Sequence, residues 1–93
     1  MEGLRLEDFS GAIGESWELE TEAGPVSLRL DRAQALKRAL RPEGGFRLEW
    51  SGPAERLLEQ AIYRFRRDGG VCEMFIVPVG RKGDSIVYEA IFN

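Results

Sequence analysis

The sequence predicts a mainly β domain, either a small antiparallel barrel or a strongly curved sheet of about six strands with one or two short helices. Six runs of alternating or apolar residues recur at roughly ten-residue spacing. Clusters of Gly, Pro and Asp, which are typical of turns, separate these runs. The chain has 93 residues, of which 43% are hydrophobic, and this suits one core. We therefore expect residues 1–93 to form a single domain.

Helical spacing occurs in two places. Leu6, Phe9 and Ile13 share one helical face, which predicts a short helix or helical turn over residues 6–12. Residues 33–40 also favour a helix, because Ala, Leu, Lys and Arg have high helix propensity. A continued strand is the alternative for this second segment.

Alternation of apolar and polar residues marks the strands of the first half. Residues 16–21 and 26–31 alternate on either side of a turn signal, and this predicts a hairpin. Residues 46–50 predict a further short strand, which should end at the Ser-Gly-Pro sequence that follows. The side chains expected to face inward are Trp17, Leu19, Val26, Leu28, Leu30, Phe46, Leu48 and Trp50.

The C-terminal third, residues 60–93, contains three strand-like runs separated by two turn signals and predicts a meander. A two-residue turn at Gly69 and Gly70 places Tyr63 opposite Ile76. A three-residue turn would place apolar residues opposite charged ones, so we reject it.

The second hairpin of the meander should contain a loop over residues 80–84, with Ile76 opposite Tyr88. Pro78 lacks an N–H group and is expected at a strand end or a bulge. One face of the meander then belongs to the core, and it carries Ala61, Tyr63, Phe65, Cys72, Met74, Ile76, Ile86, Tyr88, Ala90 and Phe92.

The opposite face of the meander is unusually apolar for a surface in contact with water. This candidate interaction face carries Ile62, Phe75, Val77, Val87 and Ile91, with Val79 nearby. An apolar area of this size needs a cover. The cover can come from the chain itself, through the helical stripe at residues 6–13 or the segment 33–40. It can also come from a partner protein.

The composition excludes several kinds of catalytic site. The chain has no histidine and a single cysteine, so His-ligated zinc, Ser-His-Asp triads and Cys-His pairs are excluded. Alternation places Cys72 in the core, opposite Phe92, as an inert thiol. Glu73 should form an ion pair with Arg66 across neighbouring strands. We therefore expect no enzymatic activity, no catalytic residue, no metal and no cofactor.

Charge is unevenly distributed along the chain. The net charge is −3, yet residues 1–24 hold seven acidic residues and one basic residue. Overall acidity argues against nucleic-acid binding, which needs a basic surface. The acidic side chains at 15, 18, 20 and 22 resemble a solvated strand edge that discourages pairing. There is no secretory signal and no apolar run of membrane-spanning length, so we expect a cytoplasmic protein without membrane contact.

Several short motifs follow one another in a recognisable order. They are Leu-Glu-Asp-Phe at 6–9, Gly-Pro at 52–53, Tyr-Arg at 63–64, Val-Pro-Val-Gly at 77–80 and Tyr-Glu-Ala-Ile-Phe-Asn at 88–93. This arrangement resembles a family of small bacterial domains of unknown function, from which no catalytic residue can be carried over. The resemblance implies an extended conformation for residues 32–37. It also implies an association with phage-tail-collar-like proteins, in a tail-like or surface assembly.

These expectations favour a non-enzymatic structural or interaction module that binds a protein partner or forms a homo-oligomer. It would act through the candidate interaction face or through a free sheet edge. The alternative is a small-molecule-binding β-barrel with Trp50, Tyr63 and Tyr88 lining a cavity.

Overall fold

The computed structural model describes residues 4–36 and 45–92, which form a closed antiparallel barrel with one short helix. The mainly β class predicted from the sequence is confirmed. In chain order the elements are α1 (Glu7–Ser10), β1 (Ser16–Leu19), β2 (Val26–Ala35), β3 (Phe46–Pro53), β4 (Ala61–Arg67), β5 (Gly70–Lys82) and β6 (Ser85–Phe92).

Two three-stranded meanders make up the barrel, in the ring order β1-β2-β3-β6-β5-β4. Strands β3 and β6 pair along their whole length. The ring closes between β1 and β4 through only two register pairs, Glu18 with Arg66 and Leu19 with Phe65. We call the β3–β6 and β1–β4 ladders, which join the two meanders, the seams of the barrel. The β3–β6 seam is therefore much longer than the β1–β4 seam.

The interior is filled with large apolar side chains. Strand alternation directs one side chain in two into the barrel. Trp50, Tyr88, Phe46 and Phe65 are the largest of the fully buried side chains. Every side chain predicted to face inward in the first half is buried, and the predicted core face of the meander is buried or half-buried.

Helix α1 is shorter than the predicted 6–12 helix, and it closes one end of the barrel. Phe9 is buried, with its ring centroid 6.0 Å from the rings of both Trp17 and Phe46. Ile13, which was expected to share its face, is exposed. The apolar stripe therefore places Phe9 in the core and the half-buried Leu6 against it, while Ile13 contributes nothing to it.

Strand β2 continues through Ala35, so the helix favoured by propensity over residues 33–40 is wrong for its first three residues. Ala33 lies opposite Leu48 in β3, and a bulge precedes this stretch. Pairing with a neighbouring strand outweighs a propensity difference of under about 1 kcal/mol per residue. This agrees with the extended conformation that the family resemblance implies. Residues 37–40 lie outside the described ranges.

The register of the β4–β5 hairpin differs from the prediction by two residues. The turn lies at Asp68 and Gly69, one position earlier than predicted, so Tyr63 is opposite Met74 and not Ile76. Asp68 and Gly69 have φ of 52° and 81°, as a type I′ turn requires. A shift of two residues preserves the faces, so the core assignment holds.

The β5–β6 hairpin is longer than predicted. Strand β5 extends into the predicted 80–84 loop as far as Lys82. A bulge follows Pro78, as its missing N–H predicted. Tyr88 lies opposite Pro78 and not opposite Ile76, which is again a shift of two residues.

Residues 54–60 connect the two meanders at the end of the barrel opposite α1. Leu58 is buried, and its N–H donates a hydrogen bond of 2.9 Å to the phenolic oxygen of Tyr88. Loss of solvation raises the pKa of Tyr88, and the hydrogen bond from Leu58 partly opposes this effect. The connection is therefore fixed to the core by a buried polar contact.

Candidate interaction surface

Three exposed apolar side chains lie on the outer surface of the meander, one on each of its strands. Ile62 lies opposite Phe75 in the β4–β5 ladder. The β5–β6 ladder begins with Val77 opposite Glu89, and Ile91 lies two residues further along β6 on the same outer face, just beyond the last pair of this ladder. Ile62, Phe75 and Ile91 are 65%, 51% and 51% exposed. We call these three residues the apolar row.

The two valines of the predicted face contribute less exposed surface. Val77 and Val87 are half-buried and lie on the outer surface of β5 and β6. Val77 lies opposite Glu89, and Val87 lies opposite Ser51 of β3. All five residues predicted as an interaction face are thus on one side of the barrel, with the apolar row as its exposed part.

The intramolecular cover considered for this face is not found among the described residues. Phe9 of the helical stripe lies in the core, and residues 33–35 belong to β2. Since the row residues are each at least half exposed, neither the helical stripe nor residues 33–35 shield them, and residues 37–40 of the second segment lie outside the described ranges. The row faces solvent in the described part of the chain.

A network of charges borders the apolar row on β3 and β6. Arg47, next to Ile91 in the ladder, donates hydrogen bonds to Glu89 and, at 2.5 Å, to Glu49. Glu49 and Glu89 lie directly opposite one another. The hydrogen bond to Glu89 raises the pKa of Arg47 more than partial burial lowers it, and Glu49 adds to the increase. The positive guanidinium group of Arg47 therefore offsets the repulsion between the carboxylates of Glu49 and Glu89.

An open groove of about 680 Å³ lies at the end of the barrel opposite α1. We call it the end groove. Residues 20–23 and 56–59, together with Ile62 and Tyr63, line it. Ile62 belongs to both the groove and the apolar row, so the two surfaces are continuous. Leu57, at 63% exposure, adds a second apolar side chain to the groove.

The three aromatic residues considered for a ligand cavity do not line a shared cavity, although Trp50 and Tyr88 lie opposite one another in the β3–β6 ladder. Trp50 and Tyr88 are fully buried in the core, with Trp50 in ring contact with Trp17 and Phe65. Tyr63 instead lines the end groove, where its hydroxyl donates to the Glu59 carbonyl oxygen. The indole N–H of Trp50 is buried without a hydrogen-bond partner among the described residues, and we have no physical account of it.

Cys72 is half-buried and lies opposite Phe65 in the β4–β5 ladder. The predicted pairing of Cys72 with Phe92 is not found, because the β5–β6 ladder begins only at Val77. Loss of solvation, followed by the nearby charge of Asp8, raises the pKa of its thiol. A raised pKa reduces the thiolate fraction at neutral pH, and the thiolate is the reactive form.

The acidic and basic residues pair differently from the prediction. Glu73 lies opposite Arg64, and Arg66 instead forms an ion pair with Glu20. The two-residue register shift explains this change. The acid-rich β1 is not a free edge, because it pairs with β4 and places its carboxylates beside the arginines of that strand.

The end groove was not anticipated from the sequence. Its walls come from two connections, residues 20–24 and 54–60, whose conformation has no periodic signal. The only hint is the pair Leu57 and Leu58, because two adjacent leucines in a loop cannot both enter the core. One of them is buried and the other is exposed.

The chain was compared with known proteins and structures. No curated protein and no solved structure matches it significantly. No helix within residues 4–36 and 45–92 has the length and apolarity needed to cross a membrane. A family model described as a domain of unknown function (DUF6916) matches residues 4–92, nearly the whole chain. The resemblance seen in the motifs is confirmed at this level, and the chain belongs to the DUF6916 family.

Proposed function

We propose that the chain is a non-enzymatic interaction module whose apolar row binds another protein surface. The observation that carries this proposal is the exposure of Ile62, Phe75 and Ile91 on three adjacent strands. Full burial of one such side chain is worth about 1.5–3 kcal/mol relative to exposure. Each of the three side chains still exposes about half or more of its surface, and burial of this remaining surface on binding would form part of the apolar core of an interface.

The partner in this proposal is a second copy of the chain or another subunit of a larger assembly. The family resemblance supports an accessory place in a phage-tail-like or surface assembly, and the proposed location of the chain is the cytoplasm. Charged residues such as Arg47 and Glu89 border the row and would form the polar rim of the interface.

Replacement of Phe75 by Asp tests the proposal. It places a charge in the centre of the row, so we expect association of the chain, measured by light scattering against concentration, to weaken at least about tenfold. Val71→Asp is the matched control, because Val71 lies on the same strand with a similar exposure of 48%. The control should change association less than about twofold.

Circular dichroism would show that both variants remain folded. The proposal fails if the unmodified protein is monomeric at all concentrations and retains no partner in pull-downs from its native host. It also fails if Val71→Asp and Phe75→Asp weaken association equally.

Small-molecule binding is the second candidate function. The volume of the end groove, about 680 Å³, lies within the usual range for ligand sites, and Tyr63 lines it. A thermal-shift screen against a fragment library tests this candidate. Stabilisation that is lost in Leu57→Asp would support it, and the absence of any stabilising fragment would count against it.

A further inference from the structure

The ladder between β1 and β4 stops before β4 does. Strand β1 ends at Leu19, and beyond it the Glu20 N–H reaches the Arg64 carbonyl oxygen at 3.4 Å. In an antiparallel ladder, alternate residues direct their backbone groups to the same neighbour. The N–H and C=O of Ile62 therefore point to the same side as those of Arg64. The chain turns away over residues 21–25, so no described backbone group pairs with Ile62 on this side.

The end groove occupies the position that a longer β1 would fill. Residues 21–23 form one wall, and Leu57, Ile62 and Tyr63 contribute apolar surface to the other. An extended segment placed here would continue the line of β1 and bond to the free backbone groups of Ile62. Its side chains would contact Leu57 and Ile62 in the groove. The shape and the backbone chemistry both favour a strand as the occupant.

The charge of the groove favours a basic occupant. Glu22 and Glu59 line the groove, and neither side chain forms an ion pair within the described residues. The one lining arginine, Arg56, donates to the Thr21 hydroxyl at 3.1 Å and the Gly24 carbonyl at 3.3 Å. Both acceptors are neutral, so Arg56 keeps its positive charge and offsets one of these two carboxylates. Since Glu20 of the lining is paired with Arg66, the described lining of the groove remains net negative.

We propose that the end groove binds an extended basic segment of a partner protein, which adds a short strand beside Ile62 with apolar and Lys or Arg side chains in alternation. This site is separate from the apolar row except for Ile62, so the two proposals can fail independently. Backbone hydrogen bonds would supply register, and the carboxylates of Glu22 and Glu59 would select for positive charge.

The test uses the full chain and two synthetic octapeptides with blocked ends. One alternates Val and Lys, and the other alternates Val and Glu. We expect the Val/Lys peptide to shift the amide NMR signals of residues 20–23 and 56–63 saturably and to slow hydrogen exchange of the Ile62 amide. The Val/Glu peptide should bind at least about tenfold more weakly at low salt.

Charge reversal in the protein supplies the matched comparison. Glu22→Lys with Glu59→Lys should weaken binding of the Val/Lys peptide about tenfold, with a smaller effect at high salt. Glu55→Lys is compared with the single variant Glu59→Lys, because it makes the same charge change in the same connection but outside the groove lining, and it should alter affinity less than about twofold.

Several outcomes overturn the proposal. They are equal binding of the two peptides, absence of saturable binding up to millimolar concentration, and shifts centred on Phe75 and Ile91 instead of the groove. Protection of the Ile62 amide that rises with the concentration of the Phe75→Asp variant in the absence of peptide also overturns it, because a second copy would then occupy the edge without using the apolar row. The Phe75→Asp variant should bind the peptide normally, and this separates the groove from the apolar row.

Discussion

At the scale of single residues, the polar groups that matter most are those that join distant segments. The phenol of Tyr88 holds the connection 54–60 to the core, and Arg47 holds Glu49 and Glu89 together across β3 and β6. The contacts of Tyr88 with Leu58 and of Arg47 with Glu89 have no signal in the sequence, because the partners are far apart along the chain. Both can be tested by single substitutions with controls of the same chemical type.

Tyr88→Phe should lower the free energy of unfolding by about 1–2 kcal/mol at pH 7, because it leaves the buried Leu58 N–H without a partner. Folding raises the pKa of Tyr88, so its contribution is complete below the pKa of an unfolded tyrosine and is lost as pH rises through the folded value. Stability should therefore fall above about pH 10, and less steeply in the variant.

Urea denaturation at pH 7 and at alkaline pH measures both effects. Tyr63→Phe is the control, because the Tyr63 hydroxyl donates to an exposed carbonyl, and it should cost less than about 0.5 kcal/mol at pH 7. A Tyr88→Phe variant as stable as the unmodified protein would contradict the importance of this hydrogen bond.

Arg47→Met should destabilise the barrel by about 1–3 kcal/mol, because it leaves two partly buried carboxylates facing each other without a cation. Folding raises the pKa of Arg47, so as the pH rises from neutral its contribution is lost only under strongly alkaline conditions. Arg29→Met removes an exposed ion pair with Asp31 and should cost less than about 0.5 kcal/mol. Equal effects of the two substitutions in urea denaturation would refute this role of Arg47.

At the scale of elements, alternation predicted which face of each strand is buried, and helix periodicity predicted much less. The faces of the meander are correct although both registers are shifted by two residues, because parity survives such a shift. The turn at Asp68 and Gly69 was misplaced because the neighbouring Gly-Gly pair also fits a two-residue turn. Residues 33–35 are extended because β3 offers a pairing partner, and this depends on the whole sheet.

The role of α1 gives a prediction at this scale. Phe9→Ala should lower the free energy of unfolding by about 3–5 kcal/mol, because the ring is buried against Trp17 and Phe46 at the barrel end. Ile13→Ala should cost less than about 1 kcal/mol, since Ile13 is largely exposed. Thermal denaturation of the two variants gives the comparison. A large effect of Ile13→Ala would mean that the stripe covers an apolar surface after all.

At the scale of the whole molecule, closure of the barrel determines which surfaces remain available to a partner. Closure pairs the edges of both meanders and leaves the backbone of Ile62 as an open position beside the short β1–β4 seam. The acidic β1 and the arginines of β4 meet at this seam, with Glu15 and Glu20 paired to Arg67 and Arg66. The exposed apolar row was anticipated from alternation, whereas the end groove arises only from closure.

Protection of the Ile62 and Ile91 methyl groups in the associated protein tests the central claim most directly. A soluble paramagnetic agent should broaden both methyl signals in the free chain and lose this effect when the chain associates with itself or with a partner. Ile13, which is 47% exposed and outside the row, serves as the internal reference and should remain broadened. Equal broadening of all three signals in the associated state would contradict the assignment of the apolar row as the interface.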